Sequence, residues 1–170
     1  IAAPPPVFRD LTRDAGIDFV HSFGDERMSS ILEAAGAGCA FLDYDADGRL
    51  DLYFVSGTYL DGVSEAPREG MPPIRSTNRL YRNIGEGRFR DVTEEAGVGG
   101  AGYGMGCVAG DYDDDGDVDL YISNYGPNVL YRNDGDGTFT DVTAEAGVGD
   151  DRWGIGLAFL DYDRDGFLDI

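Results

Sequence analysis

Three acidic segments of nine residues share one spacing, with Asp at positions 1, 3, 5 and 9 and Gly at position 6. They read DYDADGRLD at 43–51, DYDDDGDVD at 111–119 and DYDRDGFLD at 161–169. Carboxylates at alternate positions face a common centre only if the backbone curls around it, and a glycine permits that curl. Position 7 would add its backbone carbonyl oxygen. The pattern therefore predicts three oxygen-lined cation sites.

The donor chemistry of these loops favours calcium. Six to eight hard oxygen ligands in a flexible ring suit Ca²⁺, whereas Mg²⁺ requires a tighter octahedron and soft metals prefer nitrogen or sulfur. A helical EF-hand would need Glu at position 12, where this chain has Phe54 and Ile122 within strand-like flanks. We therefore predict about three structural Ca²⁺ ions in loops that join strands. The predicted ligands are Asp43, Asp45, Asp47, Arg49 and Asp51, then Asp111, Asp113, Asp115, Asp117 and Asp119, then Asp161, Asp163, Asp165, Phe167 and Asp169.

An ordinary acidic turn is the alternative reading of such a segment, because Asp and Gly are also common turn residues. A single copy would leave that alternative open. Four Asp at the same spacing in each of three loops would repel one another without a cation, which favours metal binding. No ligand position is evidently left for a substrate, so we expect the metal to be structural rather than catalytic.

The chain as a whole is strongly acidic. Its 33 acidic and 13 basic residues leave a formal net charge of -20. Nucleic acid and anionic membrane surfaces would be repelled, whereas cationic partners are favoured. A length of 170 residues with 42% hydrophobic content suits one folded domain. The sequence contains no run of 18 apolar residues that would predict a transmembrane helix.

An internal repeat organises the chain. The segment NRLYRNIGEGRFRDVTEEAGV at 78–98 aligns with NVLYRNDGDGTFTDVTAEAGV at 128–148, and 15 of the 21 positions are identical. Each unit reads as four short strands, one on each side of the acidic loop and two more flanking a glycine-containing turn. A four-stranded unit of about 50 residues is the size of one propeller blade. The sequence therefore predicts an all-β fold made of antiparallel β-propeller blades.

The predicted blade boundaries describe a partial propeller. We expect one strand of a closing blade at about 7–13, blade 1 at about 36–95, blade 2 at about 104–145 and the start of blade 3 at about 154–170. Because a closed propeller needs at least four blades, further blades or a C-terminal domain are expected beyond residue 170. An open stack completed by partner chains is the less economical alternative.

Two insertions distinguish the first unit from the second. The segment 51–78 is 18 residues longer than its counterpart 119–128, and the segment 16–38 is 13 residues longer than 97–106. Insertions between strands are where a repeat protein builds new surface. We therefore expect contacts with partners at these two places.

The residues described so far resemble a known family. All three loops match the DxDxDGxxD pattern of the FG-GAP or VCBS repeats found in the integrin α-chain β-propeller. The phrases YRNDGDGTFTDVTAEAGV and ILEAAGAGCAFLDYDADGRLDLYFVSG more narrowly resemble the bacterial ASPIC/UnbV proteins, relatives of cartilage acidic protein. The resemblance implies calcium ligation by the loop positions, extracytoplasmic interaction and no catalytic residue. It covers nearly the whole chain, without the separate ASPIC/UnbV domain that follows the propeller in that family.

The cysteines and the single histidine offer little else for chemistry. Cys39 and Cys107 occupy the same position in successive units, and we expect buried free thiols there rather than a disulfide. Two Cys and one His do not make a structural zinc site. If the chain had an activity, His21 with Asp25 or Glu26 would be the candidate acid–base pair.

The favoured function is that of a non-catalytic calcium-binding module for protein interaction, adhesion or scaffolding. Millimolar Ca²⁺ fills modest-affinity sites outside the cytoplasm, so we expect a secreted, extracellular or periplasmic protein whose partner is another protein, another subunit or a glycan. The alternative is a propeller that supports an enzyme active site, or an accessory subunit of a larger membrane or redox complex. The fold alone does not decide between these functions.

Overall fold

The strands that flank the acidic loops build two antiparallel sheets in succession. The computed structural model describes residues 8–24, 30–34, 38–65, 67, 69–100 and 102–170. In the first sheet four strands lie side by side in chain order, each antiparallel to the next. These strands are β1 (Cys39–Leu42), β2 (Asp51–Phe54), β3 (Arg79–Gly85) and β4 (Arg88–Asp91).

The second sheet repeats this arrangement, although one long element supplies its two middle strands. Its elements are β5 (Tyr103–Gly110), β6 (Asp119–Asn133) and β7 (Phe139–Asp141), in that order across the sheet. An extended strand of this length would place its ends about 45 Å apart. Instead, the backbone N–H of Asn133 donates to Asp119 Oδ1 at 2.8 Å, so β6 turns back on itself. Gly126, with φ of 113°, lies within the reversal, and the second sheet therefore also has four strands.

The described residues also form three single-turn helices, which the strand-based prediction omits. They are α1 (Ile31–Ala34), α2 (Thr93–Ala96) and α3 (Thr143–Ala146). At the start of α2, Asp91 Oδ1 accepts hydrogen bonds from the backbone N–H and the hydroxyl of Thr93, at 2.9 and 2.6 Å. The helix ends at Gly97, whose φ of 78° is left-handed. The same bonds recur at α3, so the repeated phrase DVTxEAG encodes a strand end followed by one helical turn.

The main hydrophobic core lies between the two sheets. Alternate side chains of each sheet point toward the other, so that Tyr53 and Val55 of the first pack with Leu120 and Ile122 of the second, all of them fully buried or nearly so. The first strands, β1 and β5, are themselves in contact. Burying each such side chain contributes about 1.5–3 kcal/mol. The sheets therefore stack face to face through their apolar sides.

The outer faces of the two sheets are covered differently. On the first sheet, Phe19 stacks on Phe54 with ring centroids 4.9 Å apart, and the Tyr81 hydroxyl donates to Asp18 at 2.6 Å. On the second sheet, a core that includes Tyr121 and Leu130 packs against Leu157 and Phe159 of the third unit. Part of the outer face of each sheet is thus covered as well, although Phe41 of β1 stays exposed.

The architecture is a partial β-propeller. Two four-stranded antiparallel sheets follow each other, and the described residues do not close into a ring, which confirms the predicted fold class. The blade boundaries stay predictions. Of the closing strand expected at 7–13, residue 7 lies outside the described residues and 8–13 form no strand. No helix among the described residues is long and apolar enough to cross a membrane.

Both cysteines are free thiols, as the sequence predicts. The expected burial is wrong for Cys39, which is exposed, while Cys107 is partly buried. Cys107 packs against the core between the two sheets. Cys39 pairs with Phe54 across β1 and β2, and these residues occupy the face of the first sheet that the second sheet does not cover.

Candidate metal centres

The three acidic loops are strand connections that close in the same way. In each, the residue just before the loop pairs with the Asp at position 9 in antiparallel register. The pairs are Leu42–Asp51, Gly110–Asp119 and Leu160–Asp169. The loops therefore start and end at equivalent points of their blades, which confirms that they link strands rather than helices.

The carboxylate at position 1 holds each turn together. Asp43 Oδ1 accepts from the backbone N–H of Asp47 at 3.0 Å, and its Oδ2 accepts from Gly48 at 2.9 Å. Asp111 makes the corresponding bonds at 3.1 and 2.9 Å, and Asp161 makes the second of them at 3.2 Å. These bonds hold the first carboxylate toward the inside of the loop.

Two left-handed residues curl each loop. The glycine at position 6 has φ between 82° and 99°, which agrees with the role expected from the sequence. Position 4 is also left-handed, with φ of 54° at Ala46, 59° at Asp114 and 67° at Arg164. A residue with a side chain adopts this conformation at a cost of about 1 kcal/mol, so the surrounding bonds must hold it there.

Three carboxylates converge in every loop. Within each group, one ligand oxygen per residue lies within 4.8 Å of the others. The groups are Asp43, Asp45 and Asp51; Asp111, Asp113 and Asp115; and Asp161, Asp163 and Asp169. The remaining Asp at positions 1, 3, 5 and 9, namely Asp47, Asp119 and Asp165, lie outside these closest groups. Each loop thus offers a compact set of hard oxygen donors, the donor type that calcium prefers.

The residues at position 7 lie beside the position 5 carboxylates. The backbone N–H groups of Arg49, Asp117 and Phe167 donate to those carboxylates at 3.0, 2.9 and 2.9 Å. This bond orients the position 5 side chain. That the carbonyl oxygens of these three residues bind metal stays a prediction.

In the first two loops, the Asp at position 9 binds the third strand of its blade. Asp119 is fully buried, and its oxygens accept from the backbone N–H groups of Tyr112 at 3.0 Å and Asn133 at 2.8 Å. Asp51 is bound in the same way by Tyr44 and Asn83. The two asparagines are not among the site residues predicted from the sequence, although both occupy the last position of the repeated phrase LYRN.

Comparison with known families identifies repeats in two segments of the chain. A model of FG-GAP-like repeats matches residues 70–122 and 111–170, which together cover more than half of the chain. The chain belongs to the FG-GAP-like repeat family. A search of curated proteins finds no match. The FG-GAP part of the predicted resemblance is confirmed, and the narrower resemblance to ASPIC/UnbV proteins stays a prediction.

One buried oxygen in the first acidic loop, which precedes the matched segments, tests whether a metal fits. Asp45 Oδ1 is buried and accepts no hydrogen bond. An unpaired buried carboxylate oxygen costs free energy that a coordinated cation would recover. The donor set around it, which includes Asp43 and Asp51, consists of hard carboxylate oxygens. The residues present therefore fit a calcium ion.

The first two acidic loops differ in how their charges are balanced. Desolvation and then the charges of Asp115 and Asp111 raise the pKa of Asp113 above its ordinary value. Desolvation also acts to raise the pKa of Asp47, but the backbone N–H of Arg49 and the nearby guanidinium groups outweigh it and leave that pKa below its ordinary value. Burial and repulsion therefore prevail at Asp113, whereas hydrogen bonds and positive charges prevail at Asp47. In the first loop the pKa of Asp51 is also raised, by burial first and then by Asp45 and Asp47.

The burial of Asp119 predicts how the stability of the metal-free protein depends on pH. Burial, reinforced by Asp113 and Asp115 and opposed by two backbone N–H bonds, raises the pKa of Asp119 to about 6, against about 3.9 in an unfolded chain. Between these values the folded state binds more protons, so this carboxyl lowers the free energy of unfolding as the pH rises. In thermal melts of dialysed, metal-free protein, we expect the Asp119→Asn variant to lack this decline. An equal slope in both proteins would contradict the assignment.

Of the candidate acid–base residues, the structure describes His21 alone. Desolvation lowers the pKa of His21, and Asp25 and Glu26 lie outside the described residues. Among the described residues His21 has no hydrogen bond or ion pair.

Proposed function

We propose that this chain is a non-catalytic, calcium-stabilised β-propeller module that mediates protein interaction, adhesion or scaffolding outside the cytoplasm. The observation that carries the proposal is the convergence of three carboxylates at the same point of three successive repeats. Mutual repulsion among these carboxylates needs a cation to offset it. Calcium is the cation whose ligand preference and flexible coordination suit a loop of carboxylate oxygens.

In this proposal the ions stabilise the loops that connect the strands. The carboxylates at positions 1, 3, 5 and 9 and the carbonyl at position 7 would hold the ion, which supplies positive charge where the strands turn. An ion bound at position 9 would also restrain the third strand, because Asp51 and Asp119 bind that strand through Asn83 and Asn133. Bound calcium would thus stiffen a blade through the bonds that already connect its loop to its sheet.

Thermal melting in calcium tests the proposal. For dissociation constants of about 1 mM, 1 mM free Ca²⁺ would add about 0.4 kcal/mol per filled site, so three sites should raise the melting midpoint by a few degrees. Excess chelator should reverse the rise, and Mg²⁺ at the same concentration should give a smaller one. A triple variant with Asn at Asp43, Asp111 and Asp161 should not respond. If neither calcium nor chelator changed the melting midpoint, the structural role of calcium would be refuted.

The contact surface is proposed to lie at the insertions of the first unit. In the 51–78 segment, Met71 and Ile74 are exposed apolar side chains, and Tyr59 donates its backbone N–H to Ile74 at 2.9 Å. Apolar groups held at the surface by such bonds are typical of protein contacts. We further propose that the chain is secreted, extracellular or periplasmic, that it is of the ASPIC/UnbV type and that more blades complete the propeller.

A further inference from the structure

The arginine of the repeated LYRN phrase behaves differently in the two blades. In the first blade, Arg82 Nε lies 2.6 Å from Asp45 Oδ2 and its Nη2 lies 3.3 Å from Asp47 Oδ2. Both carboxylates belong to the first acidic loop. In the second blade the equivalent Arg132 instead pairs with Asp134 in its own strand-to-strand turn, at 3.1 Å.

The residue two places after the arginine explains the difference. In the second blade that residue is Asp134, which is also held by the hydroxyl of Thr140 at 2.7 Å. In the first blade it is Ile84, an exposed side chain that offers no charge. The only carboxylate in that turn, Glu86, stands at the position of Asp136 rather than of Asp134, and Arg82 extends to the acidic loop instead. The substitution of Ile84 for Asp134 thus accompanies the change of arginine partner between the repeats.

The contact of Arg82 with the first loop is sheltered from water. The side chains of Asp45 and Asp47 are 13% and 17% exposed, and that of Arg82 is 34% exposed. Charges in such a position interact more strongly than fully exposed ion pairs. Arg49 also pairs with Asp47, so two guanidinium groups meet this loop. Arg82 also lines a groove of about 500 Å³ between the two blades, which gives the guanidinium room to leave without disturbing the core.

We propose that Arg82 is a built-in competitor of calcium in the first loop, where its guanidinium occupies the Asp45 and Asp47 carboxylates that the ion would use. This inference rests on the proposed calcium binding and deepens it. Calcium entering the first loop must displace Arg82, whereas calcium entering the second loop displaces no arginine. The first loop therefore binds calcium about tenfold more weakly than the second, since losing about 1.4 kcal/mol of ion pairing corresponds to that factor.

Calcium titration followed by NMR would measure the two loops separately. The backbone N–H of the position 6 glycine bonds the position 1 carboxylate in each loop, so the amide signals of Gly48 and Gly116 report on the two sites independently. In the full chain titrated with CaCl₂, Arg82→Gln should tighten the first site about tenfold. The matched variant Arg132→Gln removes the same charge and should change the second site by less than about twofold, because Arg132 is held by Asp134.

A second pair of variants moves the arginine without deleting it. Ile84→Asp recreates the turn of the second blade and should draw Arg82 away, tightening the first site severalfold. In the Arg82→Gln background the same change should have less than about a twofold effect, which separates displacement of Arg82 from a general gain of negative charge. The reciprocal Asp134→Ile should release Arg132 and weaken the second site.

The outcomes separate this inference from the proposed function. Calcium binding at the second loop, together with a first loop unaffected by Arg82→Gln and by Ile84→Asp, would overturn the competition while leaving calcium binding intact. If neither glycine signal responded to calcium in the wild type, the proposed calcium binding itself would fail. A selective gain at the first loop in both variants would support the competition.

Discussion

Replacing Gly104 by Ala is expected to destabilise the protein by about 3 kcal/mol, the upper end of the cost of overpacking a core. A Cβ atom on Gly104 would lie 2.0 Å from Val55 Cγ1 and 3.2 Å from the carbonyl oxygen of Ser56. Val55 is fully buried and its backbone N–H is bonded to Gly38, so it has little freedom to withdraw. Gly104 is itself bonded to Ser56 at 3.1 Å. The new methyl group would therefore push the two blades apart.

Urea unfolding would measure the effect, with Gly156→Ala as the matched control. A Cβ atom on Gly156 would meet no atom within 4 Å beyond its chain neighbours, so this substitution should change the free energy of unfolding by less than about 0.5 kcal/mol. The double variant Gly104→Ala, Val55→Ala should be more stable than the sum of the single changes implies, because the second change removes the atom that clashes. Equal effects of the two glycine substitutions would show that the blades do not depend on this close approach.

The strands and their order could be predicted because the repeat is visible in the sequence. Residues such as Tyr81 and Tyr131 recur at the same offset, and both are buried in their sheets. The left-handed backbone at position 6 could be predicted, because the residue there is glycine. The left-handed backbone of Ala46 and Arg164 could not be predicted, because nothing in their side chains favours that conformation. The hydrogen bonds of the loop impose it on them.

The repeat did not predict that Arg82 and Arg132 have different carboxylate partners. The phrase LYRN is identical in both units, and its similarity suggests that Arg82 and Arg132 play the same role. The direction of each side chain depends on which carboxylate lies within reach after the chain has folded. Ile84 in place of Asp134 is visible as a substitution, but its consequence for a loop more than 30 residues earlier is a matter of three-dimensional contact.

The second large effect is expected at Asn133, which links the two blades through a single buried side chain. Its Nδ2 donates to the carbonyl oxygen of Tyr44 at 2.8 Å and to that of Val118 at 3.2 Å, while its Oδ1 accepts from Gly135 at 3.1 Å. Tyr44 is position 2 of the first acidic loop, so this bond crosses from the second blade to the first. Asn133→Ala would leave buried polar groups without partners and should cost about 2–3 kcal/mol.

Asn83 provides the matched control, because it occupies the same position in the first blade. Its Nδ2 donates to Leu50 of its own loop at 3.0 Å, and the bond is exposed to solvent. Asn83→Ala should therefore cost about 1 kcal/mol or less in urea unfolding. The difference between the two variants measures what the bond between blades adds to an otherwise equivalent turn. If both substitutions cost the same, the stabilising role of Asn133 would be confined to its own blade.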